Sequence, residues 1–482
     1  MVWPFSRQVK REYIFIFILN LAFLLLAHLF RDSIYTDPDR FYHYFISQEY
    51  LKNFAPDFID RIYGLNWDKS FPEKEFLYHV LSSLFLRFGS ESALQSLSLL
   101  LGIGTINIWY ALLRKRLSPS MSFTLIVSLL VCPQFLLRLL LIRPHTLAIF
   151  VFALICLAGR GRKWKNLFVF SIIFSLSYHT IYIPIAFFIL LSISLSLYEK
   201  KLNVKAIKYG TAGIITGLFL NPYFPESLEM SLKHLWIALQ QLGAPDLAYG
   251  PELAMQSPFT TIKLFLPFLV LGALCIRACW RELKEGYFKF LLIASLICFL
   301  SLFISIRFLE YTPSIFAFII SLSKFPIHTG KKHLFSVLLC GLFTLANFSF
   351  IKFQEDISYF KKQEEAYKTL LQLPPKTDTR RIYNCDWWQG QYALYYSQLK
   401  VLDVLDPSLL MISKDFFINS YNIKRGFTEQ PEQKLKEVFN TDLVICSSKR
   451  QLFHQLVESK RIKNKAIIPI DEKLQLGMFE IK

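Results

Sequence analysis

A series of apolar stretches, each about as long as a bilayer is thick, constrains this chain more than any other feature of its sequence. A helix needs about 20 apolar residues to cross the hydrocarbon core, fewer where loops dip in. Such stretches lie near residues 13–30, 93–113, 119–138, 145–158, 166–178, 181–198, 205–220, 259–280, 287–306, 308–323 and 333–351. They predict a polytopic α-helical membrane protein with about eleven transmembrane helices. The 482 residues are 53% hydrophobic and 16% aromatic, with a mean hydropathy of +0.37, too apolar for one water-soluble globule.

Lysines and arginines gather in alternate loops: Arg114-Lys115-Arg116, Arg160 to Lys165, Lys200 to Lys208, Arg277 to Lys289, and Lys324 with Lys331 and Lys332. Short cytoplasmic loops retain positive charge, so the N-terminus is expected in the cytoplasm and the C-terminal part outside. The same runs carry much of the formal charge of +18, and because they do not follow one amphipathic face they argue against nucleic acid as a partner. The first apolar run ends in His28-Leu-Phe-Arg31 without a small-residue cleavage site, so it reads as an uncleaved span, expected in a bacterial inner membrane.

In this frame residues 74–88 cannot form a full span without inverting the rest, and they are expected to lie as a helix at the outer surface. Residues 1–351 then form a transmembrane domain whose first outer loop, 31–92, carries two surface helices, Arg40 to Asn53 and Glu75 to Phe88. After Lys352 the hydropathy falls. Helix-like stretches (Glu355 to Leu373, Glu432 to Phe439, Arg450 to Glu458) alternate there with strand-like runs (Arg381 to Tyr383, Val401 to Val404, Leu443 to Cys446, Ala466 to Ile470, Gly477 to Ile481). Residues 352–482 are therefore expected to form a small extracytoplasmic α/β domain. The eight cysteines include no paired CxxC and make no metal pattern. Cys385 and Cys446 alone fall in the soluble part, where they either pair, in an oxidising compartment, or remain two buried thiols.

Ionisable groups at membrane depth are costly, which makes those at the outer span ends candidates for function. Asp37 and Asp39 follow the first span; Arg138, Arg143 and His145 stand between the third and fourth; His179 occupies the turn between the fifth and sixth. Asn221-Pro-Tyr223 ends the seventh span, and Arg307 and Glu310 lie between the ninth and tenth. This convergence predicts one pocket at the outer rim in which the aspartates meet the cations near 143 and 307. A carboxylate there can act as general base. Arginines can hold a phosphate bidentately and neutralise the charge growing on a phosphate leaving group. The Asp-Pro-Asp pair can instead ligate a hard divalent cation, Mg or Mn.

Each candidate also has a plainer reading. Asp37 or Asp39 can cap the helix beginning near Arg40. Arg143 can be an anchor snorkelling to head groups, His179 a structural histidine, Asn221-Pro222 a span terminator, and Arg307 and Glu310 a mutually neutralising pair. Trp387, Trp388 and Tyr392 can stack on sugar rings or simply fill a core, the commoner fate of aromatics in a small sheet domain.

The stretch from Asp39 to Leu51 resembles the segment after the first span in the C-type (GT-C) superfamily of membrane glycosyltransferases, which includes oligosaccharyltransferase catalytic subunits, protein O-mannosyltransferases and aminoarabinose transferases. The chain is similar, in particular, to a bacterial group with Asp-Pro-Asp-x-aromatic-aromatic-His in that loop. Glu75-Phe-Leu, Arg143-Pro144, Asn221-Pro-Tyr223 and Asp386-Trp-Trp-Gln-Gly390 match that group's further motifs. The resemblance implies a GT-C-like fold and transfer of a sugar from a polyprenyl-phosphate carrier to an outer acceptor, which is a lipid, glycan or protein. It implies Asp39 first and Asp37 second as base or metal ligand, and Arg143 and Arg307 as carrier-phosphate ligands. His43, Glu75, His145, His179, Tyr223 and Glu310 complete the expected substrate-binding set. Phe41 and Tyr42 replace the paired tryptophans frequent in the bacterial group, preserving an aromatic shelf. The alternatives are a non-catalytic scaffold or lipid-binding protein and, less well supported because no repeat is evident and the polar groups sit near one face, a transporter.

Overall fold

The computed structural model describes residues 7–34, 37–64, 66–240, 258–280, 286–301, 310–322, 339, 341, 350–375, 377–404 and 414–482. Every expected span through 308–323 contains a helix. These are α1 (Arg7–Leu29), α5 (Glu91–Leu113), α6 (Pro119–Leu130) with α7 (Pro133–Leu140), α8 (Pro144–Arg160), α9 (Trp164–Ser177), α10 (Tyr182–Glu199), α11 (Lys205–Leu220), α13 (Pro258–Trp280), α14 (Gly286–Ser301) and α15 (Thr312–Leu322). The expected span at 333–351 falls mostly outside the described residues.

The expectation of about eleven full spans is not confirmed among the described residues. Three helices are long and apolar enough to cross a membrane by length and composition, Glu12–Leu29, Glu91–Leu113 and Tyr182–Glu199, and several others are shorter apolar helices. The stretch 119–138 illustrates why. Pro133 opens a new helix after an extended Cys132, splitting the apolar run into α6 and α7. The outward faces are greasy all the same: Tyr13, Phe17 and Leu25 on α1 and Phe219 on α11 are each more than half exposed, as on a surface that meets lipid rather than water. Inside, Trp109 donates its indole N–H to Ser314 at 2.8 Å. Glu12 ties α1 to α5 through Arg114 and the Tyr110 hydroxyl.

The remaining helices form a second body. A short α2 (Arg31–Ile34) leads to α3 (Asp39–Lys52) and α4 (Phe76–Leu86), close to the two expected surface helices; α12 (Glu226–Gln240) follows the seventh span. Beyond it come α16 (Phe350–Leu371), α17 (Trp387–Tyr396), α18 (Lys414–Lys424), α19 (Pro431–Phe439) and α20 (Gln451–Glu458). They surround a five-stranded sheet of order β2-β1-β3-β5-β4, built from β1 (Arg381–Asn384), β2 (Lys400–Val401), β3 (Leu443–Ser447), β4 (Ile462–Pro469) and β5 (Gln475–Ile481). β1 runs parallel to β2 and β3, whereas β5 is antiparallel to β3 and β4. Cys385 and Cys446 are joined by a disulfide, with Cα atoms 5.1 Å apart. The expected strand at Val401 to Val404 stops early because Asn384 takes over the hydrogen bonding there: its amide donates to Asp403 and its carbonyl oxygen accepts from Leu402 N–H.

The first loop and this sheet share one core. Phe41, Tyr42, Phe45, Ile46 and Tyr50 of α3 pack in a single apolar cluster with Tyr367, Leu370, Ile382, Tyr392, Leu399 and Val401. Ile62 forms a parallel bridge to Val401, and Gly64 approaches so close that a Cβ there would sit 2.2 Å from the Leu402 carbonyl oxygen. The half-buried Arg61 guanidinium donates to the carbonyls of Ala393, Leu394, Ser397 and Leu399, satisfying the orphan acceptors at the C-terminus of α17.

Candidate functional site

The site begins with the local chemistry of Arg143-Pro144. Proline at the first helical position starts α8, and the residue before it is driven into extended backbone, here φ −142° and ψ 152°. The side chain of Arg143 leaves the helix axis and meets the first loop. Its Nε and Nη2 donate to the two oxygens of Asp37 at 2.7 and 2.5 Å, and its Nη1 lies 2.9 Å from Oδ2 of Asp39. Asp39 also accepts from the amide of Gln391 at 2.7 Å, which brings α17, beside the sheet, to the same carboxylate. One guanidinium thus joins the apolar helix α8 to both aspartates.

α17 is aimed by its own motif. Asp386 and Gln389 form a reciprocal capping box at its start, and Asp386 is held in turn by Arg450. Gly390 is required where it stands, because a Cβ would fall 1.9 Å from the Asp403 carbonyl oxygen. The aromatic shelf expected of Phe41 and Tyr42 is instead buried core: Phe41 packs on Tyr392, Tyr395 and Tyr396 at 5.2, 4.5 and 5.7 Å, beneath the Arg40 guanidinium. Tyr392 is core too, stacked on Tyr367 at 4.6 Å. Arg40 itself is fixed by Glu91 at 2.6 Å and Glu364 at 3.0 Å.

A second cluster lies one turn further along α3. Asp39 and His43 are four residues apart and share a helix face, as do Glu75 and His79 at the start of α4. Nδ1 of His43 is 3.0 Å from Nε2 of His79, and the rings stack at 5.2 Å. Nδ1 of His79 lies 2.9 Å from Oε2 of Glu73, off the line of a good hydrogen bond, while Oε1 of Glu73 accepts the Glu75 N–H at 2.7 Å. Glu75 lies 3.3 Å from Nδ1 of His179. All of Glu73, Glu75, His43 and His79 are buried. Burial, reinforced by His79 and Arg143, holds the His43 imidazole well below its ordinary pKa and therefore neutral. One ligand atom each from His43, Glu75 and His79 lie within 4.8 Å of one another, a set that can hold a metal ion.

The other expected residues occupy the rim of these clusters. His145 Nε2 is 2.9 Å from the Arg138 carbonyl oxygen, and Arg138 pairs with Glu310 at 3.2 Å. The expected partner of Glu310, Arg307, lies outside the described residues. Asn221 ends α11, donates to the Glu73 carbonyl at 3.3 Å and accepts the Tyr223 N–H, while the buried Tyr223 hydroxyl donates to the Pro56 carbonyl. Oδ1 of Asp37 also accepts the Asp39 N–H at 3.3 Å, so Asp37 binds the start of α3 as well as Arg143, while Pro38 stands at the N-cap. Sequence reasoning missed Glu73, His79 and Gln391. The i, i+4 spacing of Glu75 and His79 was a usable signal; nothing local pointed to Gln391, which is 352 residues from Asp39.

No protein-family model matches the chain, and no curated protein matches it. Solved structures do match. The Archaeoglobus fulgidus oligosaccharyltransferase in complex with an inhibitory peptide and a dolichol-phosphate superposes with a TM-score of 0.62 at 14% identity, over 91% of this chain and 70% of that one. The same archaeal enzyme tethered to an acceptor peptide containing the NVT sequon gives 0.61 at 14% identity, over 92% and 70%. Its complex with Zn and sulfate gives 0.56 at 15%, over 89% and 67%. At such identities what is shared is the fold: the chain folds like this archaeal oligosaccharyltransferase.

Proposed function

We propose that the chain is a membrane glycosyltransferase that moves a sugar from a polyprenyl-phosphate-linked donor to an acceptor on the outer side of a bacterial inner membrane. The observation that carries this reading is the Arg143 guanidinium bound at once to Asp37 and Asp39. A carrier phosphate competes with these carboxylates for the same donors. When it takes Nη1 of Arg143 it releases Asp39, which remains oriented by Gln391 and can accept the proton of an attacking hydroxyl or amine. Arg143 then neutralises the charge that develops on the departing phosphate, and inversion follows from attack on the face opposite the leaving group. Asp37, held by two hydrogen bonds, keeps the guanidinium aligned, and a divalent cation would supply further charge neutralisation when bound.

The proposed topology places residues 352–482 outside as one domain, with the N-terminus in the cytoplasm. The Cys385–Cys446 disulfide supports this side, since such bonds persist in oxidising compartments. The second reading, a lipid-binding scaffold, draws on the same salt bridges, which in this state occupy both candidate bases. The two readings part in a transfer assay with radiolabelled lipid-linked sugar in proteoliposomes. Asp39→Asn preserves the shape of the side chain but can accept from only one of Arg143 and Gln391; it is expected to lose about a hundredfold or more in rate while the chain stays folded, with Arg143 still paired to Asp37. Full activity of that variant would remove Asp39 as base, and binding of polyprenyl phosphate without product from the wild type would favour the scaffold.

A further inference from the structure

We propose that His43, His79 and Glu75 hold a divalent cation of the zinc class, with Glu73 orienting His79, and that Asp37 and Asp39 are not its ligands. The inference does not depend on the transfer reaction. It starts from charge. Glu73 and Glu75 are both buried, and among the described residues they meet imidazoles and no lysine or arginine within ion-pair distance. Buried carboxylates are ordinarily paired with cations or bound to metals. Asp37 and Asp39, by contrast, already have their cation in Arg143.

The donor geometry fits. Two imidazole nitrogens on a tetrahedral zinc at about 2.0–2.1 Å stand roughly 3.3 Å apart. The His43 and His79 nitrogens are 3.0 Å apart, so a few tenths of an ångström of separation admits the ion, and a Glu75 oxygen is within 4.8 Å of a ligand nitrogen on each ring. The remaining nitrogen of His79 faces Glu73 Oε2 at 2.9 Å, and neither atom makes a well-aligned hydrogen bond. A small rotation of the ring on metal binding aligns them into the carboxylate–histidine–metal arrangement that fixes a ligand's tautomer. Two imidazoles and a carboxylate favour zinc and its neighbours over magnesium, which prefers an all-oxygen shell. α3 supplies one ligand and the start of α4 the others, so the ion would clamp the two surface helices beneath Asp39.

The test uses the full-length protein in detergent, stripped of metal and dialysed against Zn2+ alone. Elemental analysis is expected to find about one equivalent per chain, retained in Asp39→Asn. His79→Ala should weaken binding more than about tenfold, and Glu73→Gln by about ten- to a hundredfold. X-ray absorption on the wild type, which requires no variant to fold, should find two imidazoles around the ion. Absence of bound metal, an all-oxygen shell, or loss of metal in Asp39→Asn with retention in His79→Ala would each overturn the assignment.

Discussion

The two buried clusters beneath the first loop answer one electrostatic problem in different ways. In the first, two carboxylates share one guanidinium, Asp37 through two hydrogen bonds and Asp39 through one contact of 2.9 Å. In the second, Glu73 and Glu75 face the imidazoles of His79 and His179, beside His43, which burial keeps neutral. An arginine brings a permanent charge on a long stem and can cross from α8 to α3, but a phosphate can compete for it. A histidine pair brings lone pairs and no fixed charge, which suits an imported cation. The layer nearest the Gln391 contact is therefore built to exchange partners, and the layer below it to stay put.

Arg143→Ala puts the largest strain on this contrast. It leaves Asp37 and Asp39 without their cation, which should cost about 3–5 kcal/mol of stability and abolish sugar transfer. Arg143→Lys should recover much of the stability but little of the activity, because an ammonium cannot make the bidentate contact to Asp37. Denaturant titration in detergent measures both. A loss below about 1 kcal/mol in Arg143→Ala, the level of an exposed pair, would mean the upper cluster is not a buried unit at all. Gln391→Leu should have a smaller effect. It removes the hydrogen bond to Asp39, worth about 1.5–3 kcal/mol, together with the one to the Val404 carbonyl, and should lower kcat while leaving KM nearly unchanged, because it frees Asp39 without touching Arg143. An equal rise in KM would place Gln391 in donor binding instead.

Much of this architecture was legible because hydrophobic runs act locally. The apolar helices fall where apolar composition puts them, and α3 and α4 fall close to the helices read from 40–53 and 75–88. The strands at 381–384 and 443–447 likewise announce themselves by alternating with polar turns. What escaped were features set by distant partners. α17 is aromatic-rich and contains Gly390, a poor helix former, and it is carried by the capping box at Asp386 and Gln389 and by packing on Phe41. The division of 119–138 followed from Pro133 and was readable in principle. The pairing of Glu310 with Arg138 depends on how α7 and the start of α15 approach, which no local pattern encodes.

The account turns on whether a lipid phosphate and Asp39 meet at Arg143. The direct measurement is a cryo-electron-microscopy map of the protein in nanodiscs loaded with a polyprenyl phosphate. The expected map has the phosphate within hydrogen-bond distance of the Arg143 guanidinium, Asp37 still bound to it, and the Asp39 carboxylate released toward the same cavity. A lipid phosphate seated elsewhere, with both aspartates still locked on Arg143, would contradict it.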